Sequence, residues 1–218
     1  MRTTGAQGGE RPRLAPRGLR GTSLVDHVIE EIRSGRIPLH GVTSPTPSPL
    51  PVEYLANLRV ADDRRPPPSL MRWLGFEASF FRELISAADP PVLMSKPLAE
   101  VVAPPFGELF EHSLGRLLPG VLYPLTTGSD ATWALYVGTP DSLGEYPVLE
   151  LSIADEPTLS LAAPGFDVWL AMRMRVLDLE GRRDLFETSY GPAMSEHARL
   201  NLAGHQALWV SDGPTTDD

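Results

Sequence analysis

The chain has no cysteine and a single lysine, Lys96, in 218 residues. Without cysteine there is no disulfide, no thiolate metal ligand and no cysteine nucleophile. This composition fits a reducing compartment, and the expected location is the cytoplasm. No apolar run approaches the roughly 18 residues of a membrane span. The N-terminus MRTTGAQGGERPRLAPRGLRG has arginines but lacks the apolar stretch of a secretory signal. Glycine-rich nucleotide loops of the G-x-G-x-x-G or G-x-x-x-x-G-K-[ST] kind are missing, and so is a G-x-S-x-G nucleophile elbow. No mononucleotide, dinucleotide or serine-hydrolase site is therefore supported.

What is present is acidic and uneven. The net charge is −9. Residues 1–20 carry five arginines against one glutamate, whereas residues 100–218 carry six arginines against 18 acids. The C-terminal half should repel phosphate backbones and attract basic partners. Direct nucleic-acid binding by the folded part is not expected, nor is membrane binding.

The hydrophobic fraction of 42% suits one sizeable core. Its most informative stretch runs from Val121 to Met172. Four short alternating apolar runs, VLYPLT, TWALYVG, YPVLELSI and TLSLA, are separated by TGSD, TPDSLGE and DEP. Alternation with Gly, Pro, Asp and Ser between the runs predicts an antiparallel meander. The last run feeds a helix expected from Phe166 to about Leu179. The fold class is thus α+β, an antiparallel sheet meander with N-terminal helices and a C-terminal helix packed on the sheet. Leu122, Trp133, Leu135, Val148, Leu149, Leu151, Phe166, Trp169 and Leu170 should supply much of the core.

Helical spacing of Leu24, Val25, Val28, Ile29 and Ile32 predicts a first helix ended by Gly35, with Ser23 and Asp26 resembling a capping box. Alternating prolines from Pro45 to Pro51 call for an extended connector. A Pro-opened helix follows over SLMRWLGF, then another over EASFFRELISAA. LAEVVA is a short strand candidate. A helix is expected over Glu108 to Leu118 and one more near Met194 to Ala203. Residues 1–21 are expected as a disordered Arg/Gly/Pro-rich leader, residues 22–210 as a single α+β domain, and residues 211–218 as a disordered tail.

Candidate chemistry is thin. Glu108 and His112 share a helix face at i, i+4, but no companion Glu-x-x-His completes a metal site, and His197 and His205 stand eight apart. No metal and no cofactor is expected. Asp62-Asp63, Asp155-Glu156 and Asp178, Glu180 and Asp184 fall at or near turns, where acids are ordinarily solvated. No catalytic residue is singled out. Asp141, Glu145, Glu150, Asp155 and Glu156 lie on or between the central strands. They are the candidate partner-binding residues, forming an acidic stripe able to cover a basic cleft.

Several short motifs carry a resemblance. Pro67-Pro68-Ser69-Leu70 with Trp73-Leu74 resembles a Pro-opened helix. Tyr123-Pro124-Leu125 and Trp133-Ala134-Leu135-Tyr136 resemble sheet strands. Gly144-Glu145-Tyr146-Pro147-Val148 resembles a Gly/Pro-Val strand start, and Phe166-Asp167-Val168-Trp169-Leu170 a Phe-acid helix start. Over residues 66–179 these are similar to the SUKH superfamily, the bacterial immunity proteins related to the fungal Smi/Knr-type regulators. The family's usual Asn-Gly turn has no counterpart in Ser86 to Lys96. The resemblance implies a non-enzymatic immunity protein that binds and neutralises a cognate, basic, nuclease-type toxin. The alternative is a small carboxylate-dependent hydrolase of unknown substrate.

Overall fold

The computed structural model describes residues 12–38, 46–86, 89–96, 98–102, 106–126, 131–153, 156–177 and 183–210. Its centre is a five-stranded antiparallel sheet in sequence order: β1 (Val121–Pro124), β2 (Ala131–Val137), β3 (Val148–Ser152), β4 (Thr158–Ala163) and β5 (Ala207–Trp209). The expected meander over 121–163 is present, and HQALWV adds the fifth strand at the edge beyond β4.

Helices cover both faces of the sheet. On one face Leu135, Val137, Val148 and Ala163 pack with α1 (Thr22–Arg33), α3 (Pro68–Leu74) and α6 (Phe166–Arg173). On the other, Ala134, Tyr136, Leu149, Leu151, Leu159 and Leu161 pack with α5 (Phe106–Leu114) and α7 (Arg183–Asn201). This double cover explains why β2 is so apolar. With both faces buried, its outer alternate positions also need apolar side chains, and Ala134 to Val137 are all at or below 1% exposure. Of the nine expected core residues, eight are buried and Trp133 is half-buried beneath Arg173, whose guanidinium lies 5.5 Å from the ring centroid. Leu135 is fully buried, and truncating it to Ala costs about 2–5 kcal/mol.

Several local expectations yield to tertiary bonds. Over its described part, residues 77–86, EASFFRELISAA is a turn followed by a short 3-10 segment, Arg82–Leu84, rather than a helix. The Glu77 carboxylate accepts from the amides of Ser79 (2.7 Å) and Ser48 (3.0 Å), which holds the chain out of helical geometry. LAEVVA opens as the short helix α4 (Leu98–Val101) instead of a strand. The helix expected to reach Leu179 stops at Arg173, with Arg175 in the left-handed region at φ 57. The last helix is longer than expected and contains Pro192.

The largest correction concerns the N-terminal leader. Residues 12–21 do not stand off the domain. The Ala15 amide donates to the Val176 carbonyl at 2.8 Å, and the Arg13 amide to the Glu31 carboxylate at 2.7 Å. Gly21, at φ 65, is the N-cap of α1, a backbone state that suits glycine, and no Ser23 capping bond forms. Residues 1–11 and 211–218 lie outside the described residues.

Candidate functional site

The expected acidic stripe separates into two groups. Asp141 and Glu145 are 8% and 0% exposed and point inward, a correction to their expected place on a binding surface. Glu150 is half-buried. Its strand neighbours are Trp133 and Ser160, so it lies on the α6 side of the sheet. Glu156 is exposed, and Asp155 falls outside the described residues. One continuous surface stripe of these five residues is therefore not formed.

The turn between β2 and β3 shows why. The Asp141 Oδ1 accepts from the amides of Leu143 and Glu145, both at 2.9 Å, and this folds the turn onto itself. Its Oδ2 accepts from Arg20 Nη2 at 3.0 Å. Arg20 Nε donates to Asp167 Oδ2 at 3.0 Å, and the Gly21 amide donates to the same oxygen at 2.5 Å. Arg20 therefore bridges two carboxylates that lie 121 and 147 residues away in sequence. Its side chain is 13% exposed and theirs are 2% and 0%. His197 Nε2, fully buried, is 3.6 Å from Asp141 Oδ2, beyond hydrogen-bond length.

Glu145 lies beside this bridge. Its carboxylate accepts from the Ser69 amide at 3.0 Å and the Ser69 hydroxyl at 2.5 Å. Burial is the main force on its proton affinity, reinforced by the Asp167 and Asp141 charges, and it overrides the Ser69 bonds, so the carboxyl is pushed up to about 7. Asp141 goes the other way. Burial raises it, but His197, the Glu145 and Leu143 amides and the Arg20 charge together hold it below its usual value. Burial also lowers the Arg20 guanidinium, but its two carboxylates outweigh that and leave it above its ordinary value. The cluster is closed by Gly165, where any Cβ would collide with the Asp167 carboxylate and approach Glu145 Cβ to 3.1 Å. Arg20 offsets part of the carboxylate charge, and the bonds clamp α1, α3, α6 and the β2–β3 turn together.

Glu108 and His112 are exposed on α5, His205 is exposed, and His197 is buried in the cluster. Among the described residues no group of three or more His, Asp or Glu side chains is placed to hold a metal ion. No helix among them is long and apolar enough to cross a membrane.

Open concave surface lies elsewhere. A cavity of about 840 Å³ lies between α2 (Val52–Asn57), α3 and the β2–β3 turn. Leu55, Met71 and Tyr146 contribute apolar surface, and Arg59, Arg64, Arg65 and Arg72 contribute charge. Arg64 also lines a second cavity of about 690 Å³ with Arg116 and Arg199. Sequence reasoning missed both the buried cluster and this basic cleft. Asp167 had a local signal, as the acid of the Phe166-Asp167 helix start, but its partner Arg20 did not.

Fold and site define an α+β sandwich with a buried charge cluster and a basic, apolar-floored cleft. No family model matches the chain, and no curated protein matches it. The chain is similar in fold to the crystal structure of an uncharacterized protein from Salmonella enterica subsp. enterica serovar typhimurium str. 14028s. That likeness has a TM-score of 0.58 at 17% identity and covers 85% of this chain and 94% of that one. It concerns the fold alone.

Proposed function

We propose that the protein is a non-enzymatic interaction module, an immunity protein of the SUKH type that acts in the cytoplasm by binding and neutralising a cognate protein toxin. The observation that carries this reading is the state of its reactive groups. Asp141, Glu145, Asp167 and His197 gather around Arg20; these four are buried, and the Arg20 side chain is 13% exposed. Their hydrogen bonds go to one another, to the backbone, and to the side chains of Ser69 and Asn201, all inside the domain. A general acid or base must reach the proton it moves, and side chains enclosed inside the domain do not. A rigid scaffold with charged outer surface suits recognition instead. The net charge of −9 supports a basic partner, through steering and charge complementarity.

Glu150 and Glu156 remain the contact candidates of the acidic stripe. Asp141 and Glu145 serve it only by holding the turn. The test is expression of the adjacent reading frame's product as the candidate toxin, with and without this protein, followed by calorimetry of the purified pair. Rescue of growth and a stoichiometric complex are expected. Reversing Glu150 and Glu156 to Arg should slow association, with the loss shrinking at high salt. Absence of both rescue and complex overturns the proposal.

A further inference from the structure

An acidic chain that gathers arginines in one cleft poses a physical question, because its overall charge does not require them there. Arg59, Arg64, Arg65 and Arg72 line the larger cavity, and among the described residues no acidic side chain does. Internal structure accounts for part of this. Arg64 donates to the carbonyls of Gly138 (2.6 Å) and Val137 (2.9 Å), and Arg72 Nε donates to Asp26 at 2.6 Å. Arg59 and Arg64 lie 3.6 and 3.5 Å from Asp63 and Asp62, but those acids are 87% and 85% exposed, so the pairs contribute little. Arg65 is exposed and makes no hydrogen bond or ion pair with any described residue. The turn that presents it holds Asp62 and Asp63 at φ 57, a strained left-handed state.

The rims of the cleft are apolar. Helix α2 has no buried residue, and exposes Val52 at 78% and Tyr54 at 43%. Across the cleft, Leu143 on the β2–β3 turn is 50% exposed. This six-residue helix is held to the domain by the half-buried Leu55 and leaves Val52 and Tyr54 in water. Covering it would remove apolar area from water at both rims.

We propose that this cleft is a docking surface for an acidic segment of a partner protein, whose apolar anchor side chain enters between Leu55, Met71 and Tyr146. The four guanidiniums select an anionic occupant. Apolar side chains that continue past the cavity on both rims favour a polypeptide over a small carboxylate. Base stacking inside the cavity is disfavoured because its aromatic, Tyr146, is 5% exposed with Arg64 over its ring at 5.8 Å. This surface is separate from the toxin contact proposed above, which calls for a basic partner, and stands or falls without it.

The test pans a random dodecapeptide display library on the full-length protein. Enriched peptides should carry several Asp or Glu flanking one large apolar residue. Synthetic versions should bind Arg65→Glu and Met71→Glu about tenfold or more weakly, and more weakly at high salt. Arg116→Glu, outside the cleft, should change affinity less than about twofold. Thermal melts of the three variants check that they fold. Failure to enrich, enrichment without acids, or unchanged binding by Arg65→Glu overturns the proposal. So does better competition by a single-stranded DNA dodecamer or by decanoate than by unlabelled peptide.

Discussion

Glu145 receives both the amide and the hydroxyl of Ser69, 76 positions earlier, and so fixes the start of α3 against the β2–β3 turn. The bond is made by a carboxyl whose environment favours its protonated form.

That gives stability a definite pH dependence. The Glu145 pKa rises from 4.5 to about 7 on folding. The folded state therefore binds the proton more tightly than the unfolded chain. Its contribution is fully present below pH 4.5 and is lost as pH rises through about 7. Glu145→Gln should flatten this part of the curve, by on the order of 3 kcal/mol between the two limits. Urea titrations from pH 4 to 8 measure it. An unchanged slope in the variant would place the titrating group elsewhere.

Glu31 has the opposite sign. Hydrogen bonds from Arg36 at 2.6 and 2.7 Å lead the effect, joined by the Arg13 amide, and bring its pKa down to about 2. Its contribution is full above pH 4.5 and disappears as pH falls through about 2. Glu31→Gln should be less stable than the parent at pH 7, with the difference shrinking from pH 4.5 downward and closing below about pH 2. Equal stability at pH 7 would contradict the bridge.

Arg20 should matter far more than a residue of a disordered leader would. Arg20→Ala leaves Asp141 and Asp167 buried without their cation, a loss of about 3–5 kcal/mol. Deleting residues 1–21 should lower Tm by several degrees for the same reason. A melt unchanged by either would mean that the segment is not docked in solution.

Gly165 tests close packing rather than backbone freedom, because its φ of −176 is open to any residue. Gly165→Ala forces a methyl group into the Asp167 carboxylate and should cost about 1–3 kcal/mol. Calorimetry of Gly165→Ala alone and combined with Asp167→Ala should show the penalty shrinking in the pair.

The β1 to β4 meander was legible because side-chain alternation is a local property, and Asp-, Gly- and Pro-rich turns punctuate it. Trp133-Ala134-Leu135-Tyr136 announces a strand whatever lies beside it. Helix α6 was legible at its start, Gly165-Phe166-Asp167, and not at its end, where the backbone turns left-handed at Arg175. EASFFRELISAA has helical apolar spacing, but Glu77 takes backbone amides from both sides of it, one of them 29 residues distant.

The sequence by itself determined the β1 to β4 meander, its antiparallel order, the first helix and the acidic balance, since each follows from periodicity or composition. Only the tertiary structure decided which acids face water. Asp141 and Glu145 sit among Gly, Ser and Pro in a segment that reads as a solvated turn. They are buried because Arg20 and Ser69 arrive from distant parts of the chain to bond them. Likewise, four arginines spread over residues 59–72 look like scattered surface charge. They become a cleft only when α2, α3 and the β2–β3 turn enclose one cavity.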